Sequence, residues 1–209
     1  MGNERAQAHD SLGVAVNTNL AERSFGTTHW RVERWDEDQT AWAKNRLSLG
    51  MMPPELTGAV FHGMRVAPYE TSEVVGNLIT NAGWTRLMNL LTAQGATQAL
   101  DATHARIGVG NVSTAEAYTD TDLLASAGSA NRWFQLVTGA GSLGTRTLTF
   151  TATFGTADGN FAWNEFGLDF GTASGNTVTA PLFNRKAGIA QGTKVAGQTW
   201  TATAVVTFS

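Results

Sequence analysis

Residues Thr145–Phe170 read TRTLTFTATFGTADGNFAWNEFGLDF, and this stretch decides the fold. In its first limb Leu148, Phe150, Ala152 and Phe154 fall on one face, and Thr147, Thr149, Thr151 and Thr153 on the other. That period of two marks a strand with one buried side, built from residue types that suit a pleated surface. Asp158-Gly159 then supplies the positive φ angles of a tight turn. Phe161 and Trp163, then Phe166, Leu168 and Phe170, continue the aromatic face. The apolar phase slips by one residue at Asn164-Glu165, as a β-bulge would make it. The stretch reads as a long hairpin.

Strand patterns continue on both sides of it. Ala105, Ile107 and Val109 alternate before Gly110, and 132–137 (RWFQLV) is a second strand candidate. Beyond Phe170, Val178 to Asn184 and Thr199 to Phe208 read as closing strands. The last places Trp200, Ala202, Ala204, Val206 and Phe208 on one face. Within 72–95, Trp84, Leu87, Met88 and Leu91 follow the i, i+3, i+4, i+7 spacing of a helix, which Thr80 or Asn81 can cap and Gly95 can end. Strands with short turns and one such helix predict a mainly β protein, an antiparallel β-sandwich with one covering helix over residues 71–209. Its expected core includes Trp84, Phe150, Phe154, Trp163 and Trp200.

Residues 1–70 read differently. Residues 1–30 show no sustained period, and alone such a segment is an extended or disordered arm. A short helix is expected over 36–49, with Asp36, Glu37 and Asp38 at its N-terminus and Lys44 and Arg46 near its C-terminus. Residues 51–68 (MMPPELTGAVFHGMRVAP) read as a linker. Trp35, Trp42 and Leu49 recur every seven residues. This stripe either docks on the chain's own core or anchors a partner, as Trp and Arg often do. Trp30, Trp35, Trp42, Met51 and Met52 are the candidate partner-binding residues of the arm.

The 209 residues are 42% hydrophobic, enough for one domain with a core. Charged residues are only 15%, and the net charge is -3. Scattered cations in an acidic chain argue against nucleic acid as a partner. The absence of cysteine excludes disulfides and thiolate metal sites. No apolar run approaches the length of a membrane span. His9, His29, His62 and His104 are far apart and in no zinc-ligand pattern. There is no G-x-S-x-G elbow, and Gly108-Val-Gly110 lacks the third glycine of a dinucleotide loop. Asp120 and Asp122 suit capping of a helical turn better than calcium. Glu165 reads as structural, pointing outward at the bulge or pairing with an Arg such as Arg185. No enzymatic activity, cofactor or metal is therefore expected.

The order GNLITNAGWTRLMNLLTAQG, THARIGVGNVSTAEAYTDTDLLA, LTFTATFGTADGNFAWNEFGLDFG and LFNRKAGIAQGTKVAGQTWTATAVVTF, over about residues 76–208, resembles a module of tailed-bacteriophage virion proteins. Similar modules occur in tail-fibre and collar-like proteins and in capsid-proximal proteins of actinobacterial phages. The preceding VERWDEDQTAWAKNRLSLGMMPPE resembles the capsid-proximal version. The resemblance implies a virion structural protein, a capsid decoration or minor capsid protein holding the shell through its arm. Its partners would be the major capsid protein or other virion proteins, and it would form a homo-oligomer, a trimer foremost. A tail, neck or fibre component is the alternative, and a carbohydrate-binding virion protein using Asp158, Glu165 and Asp169 a remote one.

Overall fold

The computed structural model describes residues 26–48, 55–95, 98–138, 142–171 and 173–208. Among them ten strands form two antiparallel sheets. Sheet A runs, edge to edge, β2 (Glu70–Val75), β1 (Gly26–Trp35), β10 (Thr199–Phe208), β7 (Thr147–Phe154) and β6 (Ser142–Gly144). Sheet B runs β3 (Leu78–Ile79), β9 (Asn184–Ala187), β8 (Glu165–Asp169), β4 (Arg106–Gly110) and β5 (Arg132–Leu136). Three helices complete the fold: α1 (Glu37–Ser48), α2 (Gly58–Gly63) and α3 (Asn81–Thr92). The protein is a mainly β, antiparallel sandwich.

The alternation seen in the sequence builds the core. Trp30 and Val32 of β1, Phe150 and Phe154 of β7, and Trp200, Ala202, Ala204 and Val206 of β10 turn inward from sheet A. Ile107, Val109, Phe166 and Leu168 meet them from sheet B. The aromatic rings interlock: Trp30 stacks on Phe166 at 4.8 Å, and Trp163 meets Phe154 edge-on at 4.6 Å and Trp200 at 4.8 Å. Trp84 and Leu87 of α3 are half-buried against this core. Each buried aromatic contributes about 150–250 Å² of burial, so this layer carries most of the stabilisation.

Thr80 caps α3, its hydroxyl accepting from the Gly83 N–H at 2.9 Å. Gly83 matters for a second reason. A Cβ there would run into the Phe183 carbonyl, so only glycine lets α3 sit this close to sheet B. The helix ends at Ala93 in the left-handed conformation, two residues before Gly95. At α1, Asp36 and Gln39 form a reciprocal cap, with Gln39 N–H donating to Asp36 at 2.8 Å and Asp36 N–H to Gln39 at 3.1 Å.

Four expectations are corrected here. The hairpin over 145–170 does not exist as such, because β7 lies in sheet A and β8 in sheet B. A turn closes over 155–158, with Asp158 N–H donating to the Gly155 carbonyl at 3.2 Å and only Gly159 at positive φ, +63, and it leads into a connection that crosses between the sheets. Phe161 and Trp163 enter the core from this connection, and the phase slip at Asn164 marks the entry into a new sheet instead of a bulge. Second, residues 26–35, assigned to the arm, form β1, a strand flanked by β10 and β2. A boundary near residue 70 would cut sheet A in two. Third, β9 spans Asn184–Ala187, not Val178 to Asn184. Pro181 interrupts the earlier stretch, whose Thr179 N–H is taken by Asp169. The linker assigned to 51–68 contains α2, capped by Thr57.

Candidate functional site

The side chains that looked most capable of chemistry are spent on holding the fold. Glu165 and Arg185 are both fully buried, and Arg185 Nε donates to Glu165 Oε2 at 2.7 Å. Glu165 also accepts from the N–H groups of Leu124 and Ala125, at 3.1 and 2.8 Å. Arg185 donates onward to Asp120 at 3.0 Å and to the Thr114 carbonyl at 2.8 Å. The segment between β4 and β5 is thus clasped to β8 and β9 by buried charge. Asp120 and Asp122 cap no helix. Asp120 pairs with Arg185, and Asp122 accepts from Arg132 at 2.7 Å.

A second buried pair joins Arg106 to Asp169, which also accepts from Thr179 N–H at 3.0 Å. At the rim, Lys186 Nζ lies 3.0 Å from Glu116. Burial alone would raise the Glu116 carboxyl, but hydrogen bonds from Lys186 and from backbone N–H groups hold it below its usual range. Glu165 and Asp169 are sealed from solvent. They cannot line a carbohydrate groove with Asp158, so the remote carbohydrate reading loses the acids on which it stood. Among the described residues no three His, Asp or Glu side chains converge to hold a metal.

Lys194 is fully buried beside the 155–160 turn, donating at 2.7 Å to both the Gly155 carbonyl and Asn160 Oδ1. Burial lowers its pKa to about 8, against the opposing pull of Asp158. The folded pKa therefore lies below the unfolded one. Between the two, the unfolded chain keeps a proton that the folded chain has released, so stability rises with pH there and is flat below. The neutral amine still has two donors for its two acceptors. Wild type is expected to gain on Lys194→Met as pH rises from 8 to 10, at up to about 1.4 kcal/mol per pH unit. Parallel thermal-melt curves against pH for the two proteins would refute this.

The candidate partner-binding residues separate sharply. Trp30 is 1% exposed and belongs to the main core. Trp35 is 0% exposed and stacks on Phe61 at 4.4 Å, its Nε1 donating to the Val66 carbonyl at 3.0 Å. It faces outward from sheet A, but α1 and α2 fold over it and make a second small core with Ala43. Neither ring is at the surface, so neither serves as an anchor in this fold. Met51 and Met52 lie outside the described residues, as do residues 1–25. Trp42 alone of the described set stands out in solvent, 49% exposed on α1. With Asn45, Arg46 and Ser48 it borders a shallow depression of about 400 Å³.

α1 itself is fixed. Thr40 and Ala43 are buried beneath it, and Lys44 Nζ reaches Thr156 Oγ1 at 3.2 Å. Beside α2 no described element covers the outer face of sheet A. Its rows run Glu73–Arg31–Thr203–Thr151 and Val75–His29–Val205–Thr149, with little net charge. This outer face was legible from the threonine alternation. That β1 belongs to it was not, since Arg34 occupies an inward position and interrupts the apolar pattern. Arg34 is accommodated by Gln191, to which it donates at 2.9 Å, and by the Trp200 ring, 4.7 Å away. No helix among the described residues is long and apolar enough to cross a membrane. No protein-family model matches the chain, and neither a curated protein nor a solved structure matches it.

Proposed function

We propose that this is a non-enzymatic structural protein of a tailed-phage virion, a decoration or minor capsid protein that seats on the major capsid protein and associates with copies of itself. The observation that carries the reading is α1. It is pinned to the sandwich by Thr40, Ala43 and Lys44, yet presents Trp42 and Arg46 one turn apart to solvent. A rigidly held Trp with a neighbouring Arg is the composition of an interface anchor. The resemblance supports the same reading. Its motifs fall on the helix α3 and on strands of both sheets, β4, β7, β8, β9 and β10. The threonine-rich outer face of sheet A, which no described element covers beside α2, suits packing of copies in a symmetric assembly.

The test is to add the purified protein to particles lacking it and image them by cryo-electron microscopy. Density repeated over the shell supports decoration. Density confined to one vertex or to the tail replaces it with the neck, tail or fibre reading, and no density refutes both. Trp42→Ala is expected to leave the unfolding free energy within about 0.5 kcal/mol while weakening particle binding by about tenfold or more. Co-sedimentation and urea titration measure the two. A loss of stability matching that of a core tryptophan would remove Trp42 from the anchor role.

A further inference from the structure

A cleft of about 510 Å³ lies between α3 and the 179–181 segment. Thr85, Arg86 and Asn89 line it from α3, Gln98 from the segment that follows, and Thr179 and Pro181 from the opposite wall. Arg86, half-buried, differs from the buried arginines. Arg34, Arg106, Arg132 and Arg185 each have a carboxylate within ion-pair distance. Among the described residues Arg86 has none.

Its guanidinium lies 5.3 Å over the Phe170 ring, and Nη2 donates to the Gln98 carbonyl at 2.8 Å. Nε is buried without an acceptor, as are the Nε atoms of Arg34 and Arg106, so the missing carboxylate is what distinguishes Arg86. Asp169 is close enough to act on it electrostatically, but that carboxylate is committed to Arg106 and Thr179. Among the described residues two guanidinium groups therefore share one carboxylate, one positive charge more than the cluster balances. Burial lowers the Arg86 pKa, as expected of a desolvated cation short of a counter-charge. Such a charge is costly unless an anion supplies what the fold does not.

We propose that this cleft binds the oxyanion of a small hydroxyl-rich acid, a sugar carboxylate or sugar phosphate, with Arg86 receiving the anion. A planar guanidinium stacked on an aromatic ring is well suited to an oxyanion. The Thr85 hydroxyl, which already donates to the Asn81 carbonyl at 2.9 Å, keeps lone pairs for a ligand hydroxyl, and the Asn89 carboxamide can donate and accept. The inference does not rest on a virion role.

The test uses the full chain, titrated by calorimetry with glucuronate, glucose 6-phosphate and neutral glucose. Saturable binding of either acid in the millimolar range or tighter is expected, with glucose weaker by about tenfold or more. A preference for glucuronate would identify a carboxylate ligand, and a preference for the ester a phosphate. Arg86→Met should remove the difference between acid and glucose, with Arg86→Lys keeping part of it. Because Arg86→Met could disturb α3, amide chemical shifts of the wild-type chain give an independent readout. Shifts confined to 82–89 and 179–181 support the site. No saturable binding, equal affinity for glucose, or shifts scattered over the surface would each overturn it.

Discussion

Arg185→Met is expected to cost about 3–5 kcal/mol of folding free energy, a large part of the 5–15 kcal/mol typical of a domain. Arg185 and Glu165 are both 0% exposed, so the substitution strands a carboxylate away from water with only the Leu124 and Ala125 N–H groups for company. Asp120 loses its partner at the same moment. The 111–125 segment would loosen, since two of its carbonyls, at Thr114 and Ala115, also depend on this guanidinium. The urea midpoint should fall accordingly. A double variant, Glu165→Leu with Arg185→Met, should recover part of the loss by removing the stranded charge. A single variant within about 1 kcal/mol of wild type would mean that the clasp is not what holds this segment.

Trp30→Ala should be comparably severe, costing about 3–5 kcal/mol. The ring stacks on Phe166 across the two sheets, 16° from parallel, and its Nε1 donates to the Gly76 carbonyl at 3.3 Å. Removing it opens a cavity where sheet A meets sheet B, in a layer with no slack to close it. The comparison with Trp42→Ala is informative because both residues belong to the stretch read from sequence as an arm. A core ring destabilises the fold, and a surface ring does not. Near-equal midpoints for Trp30→Ala and wild type would restore Trp30 to the arm and contradict the placement of β1.

These two cases also show what the sequence could and could not reveal. The strands with a clean period of two, β7 and β10, were legible because every second side chain enters the core. So was α3, from Trp84, Leu87 and the Thr80 cap. β1 was hidden although Trp30 and Val32 sit two apart, because the next inward residue is Arg34, made tolerable by Gln191 from far along the chain. Of the Asp158-Gly159 turn, Gly159 takes the expected positive φ and Asp158 does not, the turn closing one step earlier between Gly155 and Asp158. Which sheet its return strand joins is a tertiary matter, decided by where Phe161 and Trp163 find room. The partnership of Glu165 with Arg185 stood among the alternatives, since both flank strand positions. The cleft at Arg86 had no sequence signature, because its walls meet only when α3 docks by way of Gly83.

The pairing of β1 with β10 carries one more consequence, for the nascent chain. Trp30 lies opposite Ala204, so the middle of sheet A joins the two ends of the described sequence. Loop closure on that scale gives a high contact order, and folding in the millisecond-to-second regime of β-sandwiches. During synthesis β1 and β2 wait with an open edge until β10 leaves the ribosome, displaying Trp30 and Val32 to any other exposed strand. Chains stalled before Thr199 should remain protease-sensitive throughout sheet A, and chains released past Phe208 should become resistant in a single step.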